Sequence, residues 1–119
     1  MNYGSNTGDT GDNAKALRDN MEEAGIEAPP DTAAHHIVPS THPNEYAKAA
    51  RTRLWNKFGI DINSAENGVF VPKSVNSHLN NREYMKAVYN ALNEVQTREG
   101  AIEVLQDIAE QIRLTGDYP

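Results

Sequence analysis

The adjacent histidines His35 and His36 are the residues of this chain best suited to chemistry. A neutral imidazole can bind a divalent metal or take a proton from water near neutral pH. Neighbours on a strand point to opposite sides, so both can serve one site only where the strand ends or bends, and Pro39 predicts such an end. One histidine could then ligate a metal while the other activates water. The alternative is an ordinary pair, one in the core and one at the surface.

A second motif, NGVFVP at residues 67–72, follows the first, AHHIVP at residues 34–39. Asn67-Gly68 is a strong turn dipeptide, and the apolar residues after it predict a short strand. Asn67 is therefore interpreted either as a type I′ turn residue and nothing more, or as a residue that holds the turn beside a site. The two roles are compatible.

The spacing of apolar residues, glycines and prolines predicts an α+β, mostly helical fold. Residues 1–13 are rich in Gly, Ser, Thr, Asn and Asp, which is linker composition, and one domain is expected over 14–119. Trp55 and Tyr84 are predicted to be core residues. The predicted elements are helix 14–24, strand 32–38, helix 44–58, strand 69–71, helix 73–95 and helix 98–113.

Composition and charge restrict the chemistry. The 119-residue chain has no cysteine, which excludes disulfides, thiolate catalysis and cysteine-ligated zinc. A net charge of -6 argues against a polyanionic partner, yet residues 44–86 carry seven Lys and Arg against four Asp and Glu. Nucleic acid would therefore meet one basic face of an acidic body. No apolar run approaches the roughly 20 residues of a membrane span, so no membrane segment is predicted.

With both motifs in this order, the chain resembles the AHH family of the HNH/endonuclease VII nuclease superfamily. The resemblance runs from about Leu17 to the C-terminus and includes KFGIDIN at residues 57–63 and Glu83-Tyr84. It implies a ββα-metal (His-Me finger) core, in which two short strands and a helix hold one divalent cation, with flanking N- and C-terminal helices. His35 would be a metal ligand, and His36 would be the general base that activates water against a phosphodiester. Asn67 would tie the loop to the backbone and hold the base in place.

The helix side of the implied metal site departs from the family pattern of two histidines four residues apart. Asn76 and Asn80 occupy those positions, and His78 lies between them. Asn76 and His78 differ by about 200° around a regular helix, so they cannot serve one site together. Asn76 would favour Mg²⁺ or Mn²⁺ over Zn²⁺, because an amide oxygen is a hard donor. The alternative is that a non-helical start shifts the register and His78 ligates.

Further residues could contact or surround the substrate. Candidate phosphate contacts, which solvated helix faces would explain equally well, are Lys73, Arg82, Arg51, Arg53 and Lys57. His42 lies either near the phosphate or on a surface loop, and Asn80 and Tyr84 could support the site.

Members of this family are commonly C-terminal toxin domains of large secreted bacterial proteins, each paired with an immunity protein. The resemblance therefore implies an antibacterial endonuclease, expected to cut DNA, that is delivered into the cytoplasm of a target cell. Two alternatives remain at this point. One is an RNase toxin, because nothing in the sequence predicts a reader of the 2′-hydroxyl. The other is a catalytically decayed protein-interaction module that uses the acidic segment 87–119.

Overall fold

The computed structural model describes residues 10–119, with side chains from residue 12 onward. The fold is α+β and mostly helical, as predicted. Its elements are helix α1 (Thr10–Glu23), strand β1 (Thr32–His36), helix α2 (Glu45–Asn56), strand β2 (Gly68–Pro72), helix α3 (Lys73–Leu79), helix α4 (Arg82–Asn93) and helix α5 (Arg98–Thr115). None of these helices is long and apolar enough to cross a membrane.

The two strands form an antiparallel sheet in which His35 lies opposite Val69 and His36 lies opposite Gly68. Helix α2 lies within the connection between the strands, and a single 3-10 turn, Ala65–Asn67, leads into β2. Gly68 has an extended backbone with φ -123°. The interpretation of Asn67-Gly68 as a type I′ hairpin turn is therefore wrong, because that turn requires positive φ at both residues.

The two faces of the sheet pack against different helices. On one face, Leu17 and Met21 of α1 form a small apolar cluster with Phe70. A Cβ at Gly68 would lie 2.5 Å from the Met21 sulfur and 2.8 Å from Leu17 Cδ1, so α1 approaches β2 too closely for any larger residue without rearrangement. On the other face, apolar side chains that include Val69 pack into the main core together with residues of α2, α4 and α5.

The helix predicted over 73–95 is interrupted between α3 and α4. Asn80 is non-helical, with φ -79° and ψ 57°, and the Asn81 side chain caps α4 by accepting the Tyr84 N–H at 2.9 Å. Asparagine competes for backbone hydrogen bonds and favours caps. The apolar spacing continues across this break, which is why the pattern predicted a single helix.

The structure also corrects two smaller predictions. Helix α1 begins at Thr10 rather than at Ala14, so residues 10–13 of the predicted linker are helical, whereas residues 1–9 lie outside the described part. Trp55 was expected in the core but is 62% exposed. The predicted N-caps Asn44 and Thr97 do cap α2 and α5.

Candidate active site

His35 and His36 leave β1 on opposite faces and nevertheless line one cleft. His36 is the last residue of β1 and lies opposite Gly68, on the face covered by α1, whereas His35 lies on the core face. The exposed fraction is 8% for His36 and 2% for His35. A cleft of about 290 Å³ at this strand end is lined by Ala14, Ala34, His35, His36, Pro39, Ser40, Thr41, His42, Asn76 and Asn80.

The hydrogen bonds of His35 define which of its nitrogens carries the proton. Its Nε2 lies 3.0 Å from the Tyr84 hydroxyl oxygen, and that hydroxyl donates its one proton to the Ile37 carbonyl. Nε2 must therefore be the donor to Tyr84. Burial lowers the pKa of His35 from 6.5 to about 4, so the ring is neutral at pH 7 and its Nδ1 carries a lone pair.

The Nδ1 lone pair of His35 faces the Asn76 amide oxygen at 3.0 Å. Two acceptor atoms in this position do not form a hydrogen bond with each other, but each is of a type that can bind a metal ion. Two ligand atoms at right angles around an octahedral ion, with bonds of about 2.1 Å, lie about 3 Å apart. Rotating the amide by 180° would instead present its NH₂ group to Nδ1, which is the arrangement expected without a cation. The donor set therefore fits a hard divalent ion.

Asn76 and His35 are the two potential ligands that the structure brings into contact. Asn80 lines the same cleft one helical turn after Asn76. No cluster of three or more His, Cys, Asp or Glu side chains suited to a metal occurs among the described residues. A divalent cation can be held by few protein ligands when it keeps several waters, so a sparse donor set of this kind is compatible with one.

His36 is held through its Nε2, which leaves its Nδ1 for the cleft. Its Nε2 lies 2.7 Å from the Asn63 amide oxygen, and the Asn63 NH₂ group donates to the Asn13 side-chain oxygen at 3.1 Å. Asn63 therefore accepts a hydrogen bond from Nε2–H, which leaves the lone pair of the neutral ring on Nδ1. Every buried side-chain nitrogen and oxygen in the described part has a hydrogen-bond partner, so Nδ1, which has none there, must be open to the cleft. Burial lowers the pKa of His36, which keeps the ring unprotonated at neutral pH.

Neither Asn63 nor Asn13 was predicted as a site residue. Asn63 belongs to the segment 57–63 that carries part of the family resemblance, which was the available signal. Asn13 falls in the predicted linker, and no pattern in the sequence singles it out.

Asn67 joins the exit of β1 to the loop before β2. Its side-chain oxygen accepts the Val38 N–H at 2.9 Å, and its NH₂ group donates to the carbonyls of Val38 and Ile62 at 3.1 and 2.9 Å. The side chain is completely buried, and its hydrogen bonds go to the backbone rather than to His36. It fixes the backbone directly after the two histidines.

The loop formed by residues 39–42 forms one wall of the cleft. The Arg51 guanidinium donates to the carbonyls of Pro39 and His42 at 2.8 and 2.9 Å, so it holds this loop and is not a free phosphate contact. His42 accepts the Asn44 N–H on Nδ1 at 3.1 Å. The neutral ring therefore carries its proton on Nε2, as a donor in the cleft wall.

His78 lies away from His35. It lines a separate surface depression with Ser74, Gly116 and Asp117. Its assignment as the metal ligand required a non-helical start, but α3 is helical from Lys73 onward. The structure therefore corrects that alternative and leaves Asn76 in the position facing His35.

The other basic candidates divide into two groups. Arg53 donates to the carbonyls of Leu92 and Val95, so it ties α2 to the end of α4 and is wrong as a phosphate contact. Lys57 lies in a separate groove between α2 and α4. Lys73, at the start of α3, and Arg82, whose guanidinium lies 5.3 Å from the ring centre of Tyr46, are exposed.

Comparison with known proteins gives one match. The model of a nuclease family of the HNH/ENDO VII superfamily with conserved AHH matches residues 16–112. No curated protein and no solved structure matches the chain significantly. Nucleases of this superfamily generally use a divalent metal. The matched range contains the three histidines of the cleft together with Asn63, Asn67 and Asn76, but not Asn13.

Proposed function

The chain belongs to the AHH family of nucleases, and on that premise we propose that it is a metal-dependent DNA endonuclease with His36 as its general base. The observation that carries the proposal is the asymmetry of the two imidazoles. His36 offers an unpaired Nδ1 to the cleft, and His35 offers its own Nδ1 to the Asn76 oxygen. A base and a cation-binding pair thus adjoin in one cleft.

Different residues of the cleft would have different roles in phosphodiester hydrolysis. His36 Nδ1 accepts a proton from the attacking water, and Asn63 holds the ring through Nε2. His35 and Asn76 would hold a divalent cation, which would neutralise charge that develops on the phosphate. His42, with a proton on Nε2, can donate a hydrogen bond to a phosphate oxygen in the cleft, in a loop fixed by Arg51.

A plasmid-nicking assay tests this proposal. We expect the protein to convert supercoiled plasmid to nicked and linear forms with Mg²⁺ or Mn²⁺, and EDTA should abolish cleavage. His36→Ala should lower the rate by at least about 100-fold, since a positioned general base contributes roughly 10²–10⁴-fold. His78→Ala is the matched control and should cut like the wild type. Cleavage by His36→Ala at the wild-type rate would falsify the assignment, and cleavage of total RNA but not of plasmid would replace the DNA substrate by RNA.

The family resemblance supports a biological setting within the same proposal. The domain would act as an antibacterial toxin, attached to a larger secreted protein, in the cytoplasm of the target cell, and a cognate immunity protein would neutralise it. Expression of the domain in a bacterial cytoplasm should degrade the host DNA and stop growth, whereas the His36→Ala variant should be harmless. Growth unaffected by an expressed, active domain would contradict the toxin role.

A further inference from the structure

Three buried side chains link the N-terminal helix to the proposed general base. Asn13 of α1 accepts from the Asn63 NH₂ group at 3.1 Å, and the Asn63 oxygen lies 2.7 Å from His36 Nε2. Their exposed fractions are 5%, 3% and 8% in the order Asn13, Asn63, His36. Two hydrogen bonds thus form a relay from Asn13 through Asn63 to His36, and the first of them joins residues 50 positions apart in the chain.

The direction of these bonds determines the tautomer of His36. An asparagine side chain has one accepting and one donating end. Because Asn13 presents its oxygen, Asn63 must turn its NH₂ group to Asn13 and its oxygen to His36. That oxygen only accepts, so it selects the imidazole that carries its proton on Nε2. The lone pair is then on Nδ1, the nitrogen that is open to the cleft.

Further contacts hold helix α1 in the position that brings Asn13 against Asn63. The Asn20 side chain donates to the Asn63 carbonyl at 2.7 Å, and Leu17 and Met21 pack against Phe70. The close approach of α1 to the sheet depends on Gly68. Asn13 lies outside the matched family range of 16–112.

We propose that Asn13 and Asn63 are positioning residues for catalysis, and that α1 thereby forms part of the active site by fixing His36 in its Nε2-protonated tautomer. This inference rests on the proposed function, in which His36 is the base. The tautomer of the His36 ring, however, can be measured in the metal-free protein without any cleavage assay.

The first experiment measures the tautomer directly. In ¹⁵N spectra of the metal-free protein at pH 8, the neutral His36 ring should be protonated on Nε2, and Asn63→Leu should shift the ring toward the Nδ1-protonated form. Asn13→Leu should do the same to a smaller extent, because it frees the Asn63 amide to rotate. A wild-type His36 that is protonated on Nδ1 would overturn the proposal, whether or not any variant folds.

The second experiment measures catalysis. Asn63→Leu should lower kcat of plasmid nicking by about 10- to 100-fold with KM unchanged, and Asn13→Leu by about 10-fold. Asn13→Asp retains an accepting oxygen and should restore most of kcat. Lys15→Gln, which changes only an exposed side chain paired with Asp19, is the matched control on the same helix and should keep kcat within about twofold. An unchanged kcat in both relay variants would overturn the proposal, as would an equal loss in Lys15→Gln with an unaltered His36 tautomer.

The two experiments separate this inference from the proposed function. If His36→Ala cuts normally while the variants shift the tautomer as expected, the general base is misassigned and the structural relay stands. If His36→Ala is inactive but Asn63→Leu changes neither tautomer nor kcat, the base stands and the relay fails.

Discussion

The two nitrogens of His35 have different neighbours, a difference that would prepare the residue for the metal-binding role we propose. A metal-binding histidine usually donates its second N–H to a fixed acceptor, which sets the tautomer and orients the ring. Here the acceptor is the Tyr84 hydroxyl, itself anchored on the Ile37 carbonyl. The ring of Tyr84 also packs edge-on against His35, with centroids 5.6 Å apart. Tyr84, predicted as a core or supporting residue, is a completely buried core residue that also contacts His35.

We therefore expect Tyr84→Phe to weaken metal binding without changing the fold. The variant leaves His35 Nε2–H and the Ile37 carbonyl without their shared partner, which should destabilise the protein by about 1–3 kcal/mol and lower Mn²⁺ affinity by about 10-fold. Calorimetric titration with Mn²⁺ measures the affinity, and urea unfolding measures the stability. Tyr89→Phe, on the same helix, is the control and should change neither. Wild-type Mn²⁺ affinity in Tyr84→Phe would remove the hydroxyl from the metal site.

The buried His35 also makes stability depend on pH. Its folded pKa of about 4 lies below the ordinary value of 6.5, so the unfolded chain binds the proton first as the pH falls. The contribution of His35 to stability is complete above pH 6.5 and is lost between pH 6.5 and 4. From pH 7 to pH 5 the loss is about 2 kcal/mol, and burial of His36 acts in the same direction.

Urea unfolding of the metal-free protein at pH 7, 6 and 5 tests this expectation. The free energy of unfolding should fall with pH over this range, where most carboxylates remain ionised. His35→Gln should be less stable at pH 7 and should show a shallower dependence. Equal slopes for the two proteins would mean that His35 is not held neutral in the fold.

At the scale of elements, helix α1 and strand β2 depend on one another through Gly68. Gly68→Ala would place a methyl group 2.5 Å from the Met21 sulfur and 2.8 Å from Leu17 Cδ1. We expect it to destabilise the protein by about 1–3 kcal/mol and to lower kcat, because displaced α1 would no longer hold Asn13 against Asn63. Unfolding and nicking assays measure both effects. In a Met21→Ala background the same substitution should cost less, and a penalty of equal size there would show that the contact with Met21 is not its cause.

The sequence predicted α2 and α5 with their caps because Asn44 and Thr97 stand directly before regular apolar repeats. The break between α3 and α4 was missed, since Leu79 and Tyr84 keep the apolar pattern across Asn80-Asn81 and the cap competes with it locally. In the site, the family motifs and helix spacing predicted Asn76 near His35. Asn63 and Asn13 could not be predicted, because their bonds span 27 and 50 residues and depend on how α1 docks on the sheet.

At the scale of the whole molecule, an acidic protein must bind a polyanion. The formal net charge is -6, so attraction to nucleic acid cannot come from the average surface and must come from local groups. Two of the predicted phosphate contacts, Arg51 and Arg53, instead donate to backbone carbonyls. Arg82 remains as an exposed guanidinium two residues after Asn80, a residue that lines the cleft.

The positions of these basic side chains predict which of them contributes to DNA binding. In the His36→Ala background, where the duplex is not cut, Arg82→Gln should weaken binding of a labelled duplex several-fold. It should also reduce the slope of log affinity against log salt by about one, since one phosphate contact is lost. Lys57→Gln removes the same charge in the groove between α2 and α4 and should leave the slope unchanged. Fluorescence anisotropy at several salt concentrations gives both slopes. If Lys57→Gln flattens the slope as much as Arg82→Gln does, the duplex lies across α2 rather than over the cleft.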